Sequence, residues 1–525
     1  MSNPFHICML AAENASIPGA KVGGIGDVVR DIPKALVEQS DDLRDVQISV
    51  LIPAYGTLHE LDGASRIGVC TTSFRAKAER IELYELYAGH RPGVRHLLLH
   101  HPLFGAAGPG QVYCNDDADQ PFATDASKFA LFSRAAISAI NEQLLGQVDV
   151  LHLHDWHTAL APALIRFDSD FTDLQSLPCV FSIHNLALQG IRPLAGDPSS
   201  LESWFPHLNY DPGLLCDPRW PHCINPMAAG IRLADKVHTV SENYAREILD
   251  ANDDIRGFHG GEGLEADLNS AADQGRLKGI INGIYYYNKL EVKLDWRAFL
   301  EKIAADLLSV IAQTPELTAL DYLAHQRLLQ WQQKKRPPHL LTSVGRLTDQ
   351  KVKLLLHPID SGKSAIEQIL DSLSRRGLFI LLGSGDARLE RQCSALAAVH
   401  PHFIFINQYS DTLSQQLFAQ GDLFVMPSSF EPCGISQMLA MQHGQPCLAH
   451  AVGGLVDTIE DGVDGFLFSA DTVDNQARAL VSRCNDVLAL RENNPRNFAA
   501  VCDRASKKRF EWNSSATRYL QELYT

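Results

Sequence analysis

Lys21 stands two residues before the pair Gly23-Gly24, and Gly26 follows after Ile25 at the start of a helix-like run. Glycines let a backbone turn tightly and approach a ligand. A helix start aims free amides and a positive dipole end at the same point. With the Lys21 ammonium added, these features describe an anion site, with phosphate its natural guest. The competing reading is a glycine-rich turn carrying a surface lysine. The spacing is neither GxGxxG nor GxxxxGK[ST], so neither a dinucleotide nor an ATPase follows from it.

Other stretches point the same way. Arg346 and Lys351 lie five residues apart in SVGRLTDQK, close enough in a loop to reach one diphosphate. In isolation they would be two surface cations. Glu431 precedes a Pro-Cys-Gly turn, where a carboxylate could accept hydrogen bonds from sugar hydroxyls while the amides of Gly434 and Ile435 face an anion. An acid at a helix N-terminus is the plainer account. Gly453 and Gly454 repeat the strand–glycine–helix pattern, and Tyr409 ends a strand where its ring could stack on a base or simply pack.

HLHDWH, residues 152–157, invites a metal reading. Its spacing departs from the hydrolase pattern His-x-His-x-Asp-His. Strand alternation also puts His152 and His154 on one face, so no metal is expected. The pairs Asp117/Asp119 and Asp168/Asp170 read as solvated loop acids.

These residues need elements to hold them. Apolar runs at 5–13, 46–56, 148–157, 179–185 and 236–244 each turn polar or glycine-rich at their C-terminal end. A second series occupies 339–347, 378–386, 402–411, 422–429 and 445–454. Near-continuous apolar strands alternating with helical patterns predict parallel sheets covered on both faces. Two series predict an α/β protein of two doubly wound domains, in which ligands bind beyond the carboxyl ends of the strands. A polar, helix-rich stretch at 286–335, ending in KKRPP, reads as the linker.

The bulk properties agree. The chain of 525 residues is too long for one core. Its net charge of −16 argues against general nucleic-acid or membrane-surface binding, so an anionic ligand needs a local basic site. Eleven cysteines without a CxxC pair suit reduced thiols in a cytoplasmic setting. We read no signal peptide in MSNPFHICMLAAE and no membrane span.

Taken in order, KVGGIGDV, HDWH, SIHNLALQG, HTVSENYA, GGEGL, GIINGI, GRLTDQK, GSGD, YSD, FEPCGISQ and GGLVDT resemble the bacterial glycogen synthases and plant starch synthases. The motifs cover nearly the whole chain, and FEWNSSATRYLQELY resembles the family's C-terminal helical tail. The resemblance implies the GT-B fold, two Rossmann-like domains facing a central cleft. These would be residues 1–285 on the acceptor side and 336–505 on the nucleotide-sugar side, with 506–525 packing back on the first. It implies retaining transfer of glucose from ADP-glucose to the non-reducing end of an α-1,4-glucan, without a cofactor or metal. It also implies a cytoplasmic enzyme, or a plastid stromal one after processing in a eukaryote.

Carried over by motif, Lys21, Gly23 and Gly24 would face the donor, and Arg346 and Lys351 would bind its diphosphate. Glu431 would contact the transferred sugar, with amides from Gly434 and Ile435, while Gly383, Gly453 and Gly454 would complete the donor loops. Tyr409 would stack on the base, and His184 would meet the glucose. Asp155 would sit on the acceptor side with Asp27, Trp156 and Asn185, and Asn282 would line the donor side. The chain departs from the family pattern at Val22, Tyr285, Val352, Ser429 and Leu439, and by Pro18-Gly19 in the entry loop. These departures bear on donor and acceptor choice. The alternatives are a UDP-glucose enzyme with a small acceptor and a non-catalytic glucan-binding paralogue.

Overall fold

A computed structural model describes residues 4–39, 45–87, 93–118, 120–286, 293–313, 318–374, 376–408 and 410–525. The chain divides into two compact units. One comprises Met1–Ala251, Gly260–Tyr285 and Glu511–Thr525; the other comprises Asn252–His259 and Tyr286–Phe510.

The first unit is built on β1 (Phe5–Leu10), β2 (Val46–Pro53), β3 (Ala64–Phe74), β4 (Lys77–Leu86), β5 (Val94–His100), β6 (Val150–His154) and β7 (Cys179–Ile183). A short ribbon of β8 (Arg192–Pro193) and β9 (Cys223–Ile224) stands apart, and β10 (Lys236–Thr239) and β11 (Leu277–Gly279) close the series. The nine-stranded sheet runs β11-β10-β7-β6-β1-β2-β5-β4-β3. It is parallel except that β4 pairs antiparallel with β3 and β5. The sequence reading contained the parallel strands β1, β2, β6, β7 and β10 but missed the parallel strands β5 and β11 and the β3–β4 hairpin. Its alternating, half-exposed pattern marks a sheet edge covered on one face, a weaker signal than a wholly apolar run.

The second unit holds β12 (His339–Val344), β13 (Gly377–Leu382), β14 (Phe403–Ile406), β15 (Leu423–Met426), β16 (Cys447–His450) and β17 (Phe466–Phe468), in the order β14-β13-β12-β15-β16-β17. Every pairing is parallel. Its strands are apolar at successive positions because both faces are covered. Along β13, Leu378, Ile380 and Leu382 join one core cluster while Phe379 and Leu381 join another.

The stretch 286–335 is not a linker. The helices Trp296–Ile311 and Ala319–Gln332 lay Phe299, Leu300, Ile303, Leu307, Ala324, Leu328 and Trp331 into the cluster that covers this sheet. The apolar residues recur at helical spacing, and each large one so buried contributes about 1.5–3 kcal/mol. Besides Asn252–His259, the second unit thus runs from Tyr286, not 336, and takes residues 506–510 that the sequence reading gave to the tail.

Residues 511–525 are part of the first unit. Trp512, Tyr519, Leu523 and Tyr524 are buried, and Ser515 Oγ donates to the Ile281 carbonyl at 2.6 Å. The Tyr524 hydroxyl and His152 Nδ1 lie 2.6 Å apart, a hydrogen bond across 372 residues of sequence. Tyr524→Phe leaves the buried His152 Nδ1 unpaired, and we expect a loss of about 1–3 kcal/mol of unfolding free energy. Removal of the exposed Thr525 should cost nothing. Calorimetry on the two variants checks this, and equal melting temperatures would show that the tail is not held through this bond.

Candidate active site

In the first unit the chemistry-bearing residues follow β6 and β7. Asp155 comes directly after β6 and holds φ +54°, a left-handed conformation uncommon for a residue other than glycine. That bend turns its carboxylate toward the next strand end, where Oδ1 accepts the His184 amide at 2.6 Å. Asp155 is 4% exposed, and burial pushes its carboxyl up to about 7 against the pull of the His184 and Asn185 amides. His154 Nδ1 and His184 Nε2 lie 2.9 Å apart, and the rings of His152 and His154 stack at 4.5 Å, on one face as strand alternation predicts.

His152 is spent on Tyr524 and, through Nε2, on Ser182 Oγ at 2.7 Å, which also meets His238 Nδ1 at 2.7 Å. HLHDWH is thus a buried hydrogen-bonded layer. Among the described residues no group of three or more His, Cys, Asp or Glu is arranged to hold a metal. Asp168 and Asp170 both pair with Arg134, and Asp119 lies outside the described residues.

Two sequence expectations change here. Trp156 offers no open ring: it is 5% exposed, and a Cβ on Gly190 would stand 2.2 Å from it. The glycine loop is not an empty anion cradle either. Glu13, which the sequence reading passed over, takes the Val22 and Gly23 amides on Oε2 at 2.7 and 2.5 Å and the Tyr113 hydroxyl on Oε1 at 2.9 Å. Lys21 pairs with Asp27 at 2.9 Å, and Arg30 meets the same carboxylate oxygen at 3.0 Å. Loop and helix start are therefore neutralised from within. The helix begins at Gly24, and a Cβ there would meet nothing within 4 Å. Asn185 closes a turn by accepting the Ala187 amide at 2.9 Å, and the buried Asn282 Oδ1 has no partner among the described residues.

In the second unit four loops meet beyond the carboxyl ends of β12, β13, β15 and β16. A Cβ on Gly383 would stand 1.9 Å from the Gly345 carbonyl oxygen, and one on Gly453 would stand 2.0 Å from that of Glu431. The amides of Gly383 and Gly454 are already bonded, to the Ile406 and Glu431 carbonyls, so these glycines shape the loops rather than donate to a ligand. The close approach joins two residues read separately: Lys351 Nζ forms an ion pair with Glu431 Oε2, which also accepts Ser428 Oγ at 3.0 Å. Glu431 is 5% exposed, and the Lys351 ammonium sits directly against its buried carboxylate.

Gln350 ties the same loops, its carbonyl accepting the Ser429 amide at 2.7 Å and its Nε2 donating to the Phe430 carbonyl at 3.0 Å. Arg346 is exposed and ion-pairs with no described residue. The amides of Gly434 and Ile435 open the helix Ser436–Gln442 with no acceptor among the described residues. A free guanidinium, open amides and a carboxylate–ammonium pair suit a ligand bearing both anionic and hydroxyl groups. Tyr409 lies outside the described residues.

The departures have local roles. Val22 is 48% exposed, Val352 is in the core, and Leu439 packs on a neighbouring cluster. Ser429 Oγ donates to the Gln350 carbonyl at 3.1 Å. Tyr285 donates to the Asp31 carbonyl at 3.2 Å, with Lys34 Nζ 3.5 Å from its ring centre.

The histidine layer predicts acid lability. Burial lowers His152 and His157 to about 3 and His184 to about 4, and holds His154 and His238 well below 6.5. Their stabilisation is complete above the unfolded value near 6.5 and is lost as pH falls toward the folded values. The raised Asp155 acts oppositely: its stabilisation is present below about 3.8 and lost as pH rises through about 7. Five imidazoles outweigh one carboxyl. Unfolding free energy of the first unit should therefore fall between pH 6.5 and 5 by roughly 1.4 kcal/mol per pH unit for each net proton taken up. Urea titrations at pH 8, 6.5 and 5 measure it, and a flat profile would contradict the buried neutral layer.

The family descriptions "Starch synthase catalytic domain" and "Glycosyl transferases group 1" match residues 6–270 and 338–486. The chain is 31% identical to a glycogen synthase of Streptococcus equi subsp. equi over 540 residues, covering 99% of both. It is also 31% identical to one of Aeromonas salmonicida over 536 residues, covering 99% of this chain and 98% of that one. The catalytic domain of starch synthase IV from Arabidopsis thaliana, solved with ADP and acarbose, superposes with a TM-score of 0.73 at 25% identity, covering 100% of this chain and 99% of that one. A sucrose-phosphate synthase from Thermosynechococcus elongatus, at 15% identity and a TM-score of 0.56 over 98% of each chain, shares the fold. The chain belongs to the glycogen and starch synthase family and is a glycosyltransferase of the GT-B fold.

Proposed function

We propose that this enzyme transfers glucose from ADP-glucose to the non-reducing end of an α-1,4-glucan with retention of configuration. The observation that carries the proposal is the Lys351–Glu431 pair set among open amides, in a chain related along its length to glycogen synthases. The binding of ADP and acarbose, as named for the Arabidopsis structure, supports a nucleotide and a glucan-like acceptor.

Arg346 and Lys351 would meet the diphosphate. As the bond from the anomeric carbon to the phosphate oxygen breaks, the electron pair leaves with ADP, and cations fixed there stabilise the growing charge more than the bound donor. Glu431 would hold the glucose hydroxyls, with Gly434 and Ile435 giving amides. On the first unit, Lys21 and Gly24 would serve the donor, His184 the glucose, and Asp155, Asp27 and Asn185 the acceptor.

Retention requires either a covalent intermediate or attack from the face of departure. Glu431 is tied to Lys351 and Ser428, and Asp155 to the His184 amide, so neither is a free nucleophile. We favour front-face attack: the acceptor hydroxyl oxygen bonds the anomeric carbon, and its proton passes to the departing phosphate oxygen. We assign the activity to the cytoplasm.

Radiolabelled ADP-glucose with glycogen tests the proposal. Label should enter polymer that β-amylase digests to maltose. Well-folded protein that makes no glucan from ADP- or UDP-glucose would overturn it.

A further inference from the structure

We infer that His154 is a positioning residue that fixes His184 as the Nδ1–H tautomer, making it a neutral hydrogen-bond donor rather than a base. The inference rests on the reading of His184 as a contact to the transferred glucose.

Both rings are buried, and burial holds both pKa values far below neutrality, His184 at about 4. At working pH the pair is therefore neutral, and the 2.9 Å contact between His154 Nδ1 and His184 Nε2 contains a single proton. Two arrangements are possible. If His184 Nε2–H donates, His154 must carry its own proton on Nε2. That atom is buried with no partner among the described residues, so it would become an orphaned N–H. If His154 Nδ1–H donates instead, His154 Nε2 is only a bare lone pair. Orphaned buried N–H groups are rare and costly, and unfilled acceptors less so. The second arrangement is selected.

It leaves His184 with Nε2 accepting and Nδ1 protonated. No described residue takes that Nδ1–H, so it is available to an oxygen of the substrate. The ring stands over a backbone already pinned, because the His184 amide donates to Asp155 Oδ1 at 2.6 Å. The His152 ring, stacked on His154 at 4.5 Å and hydrogen-bonded to Tyr524 and Ser182, blocks rotation of His154 away from the contact. A neutral N–H at this point can bind a sugar hydroxyl oxygen, but it cannot accept the acceptor's proton. That proton must go elsewhere, consistent with its passage to the departing phosphate.

The test is two-bond proton–nitrogen correlation NMR on the full chain labelled with nitrogen-15 histidine. The His184 signals are assigned by their loss in His184→Ala. We expect a protonated Nδ1 and a bare Nε2 near neutral pH. His154→Leu should free His184 to change tautomer and lower kcat about tenfold or more, with KM for the donor changed much less. His154→Asn offers an amide N–H where His154 Nδ1–H stood and should restore both tautomer and most of the rate. A His184 protonated on Nε2 in the unaltered chain overturns the inference, whatever the variants do. So does a His154→Leu enzyme with full turnover and the original tautomer. Full activity of His184→Ala would instead overturn the glucose-contact reading, a separate failure.

Discussion

Beyond the second sheet's strands, the backbone approaches itself so closely that a side-chain carbon has no room. A Cβ on Gly383, Gly453 or Gly454 would stand within 2.5 Å of a carbonyl oxygen on a neighbouring loop. This contact brings the 345–348 loop with the start of the helix Asp349–Leu356 that carries Lys351, the 428–435 loop and the glycine pair to one place. The approach then lets Lys351 reach Glu431 and gives the buried carboxylate a cationic partner. Parallel pairing supplies the rest of the geometry, because every strand delivers its C-terminal loop to the same edge.

The first unit solves a similar problem with side chains. Its strand ends carry histidines, which burial keeps neutral and which bind one another, a serine and a tyrosine from the far end of the chain. Neutral imidazoles carry no charge to desolvate, and hydrogen bonds hold His152 at both nitrogens and His154, His184 and His238 at one each. The layer thus orients His184 and Asp155 without placing a formal charge beneath them. The left-handed turn at Asp155 is the local strain accepted to aim that carboxylate at the next strand's amides.

How much of this the sequence showed follows the physics of each signal. Wholly apolar strands ending in glycine or polar residues announced two doubly wound sheets, because burial on both faces writes itself into every position. The 286–335 stretch misled because its apolar stripe lies among many charges, so its helices looked solvated until a sheet face was found beneath them. Lys351 and Glu431 were legible one at a time; their pairing across 80 residues was not. Glu13 was invisible as a site residue, since a lone acid at a strand end has no spacing to betray it. Tyr524 looked like part of a tail, and only the fold shows its hydroxyl at His152.

The central claim is that Lys351 stabilises charge that develops as the donor breaks. Its direct measurement compares Lys351→Met with the unaltered chain in kcat and in the dissociation constant for ADP. The account predicts that kcat falls by about a hundredfold or more while ADP binding weakens by less than about tenfold, since the interaction strengthens toward the transition state. Turnover that survives the substitution, or a loss of ADP binding as large as the loss of rate, would contradict it.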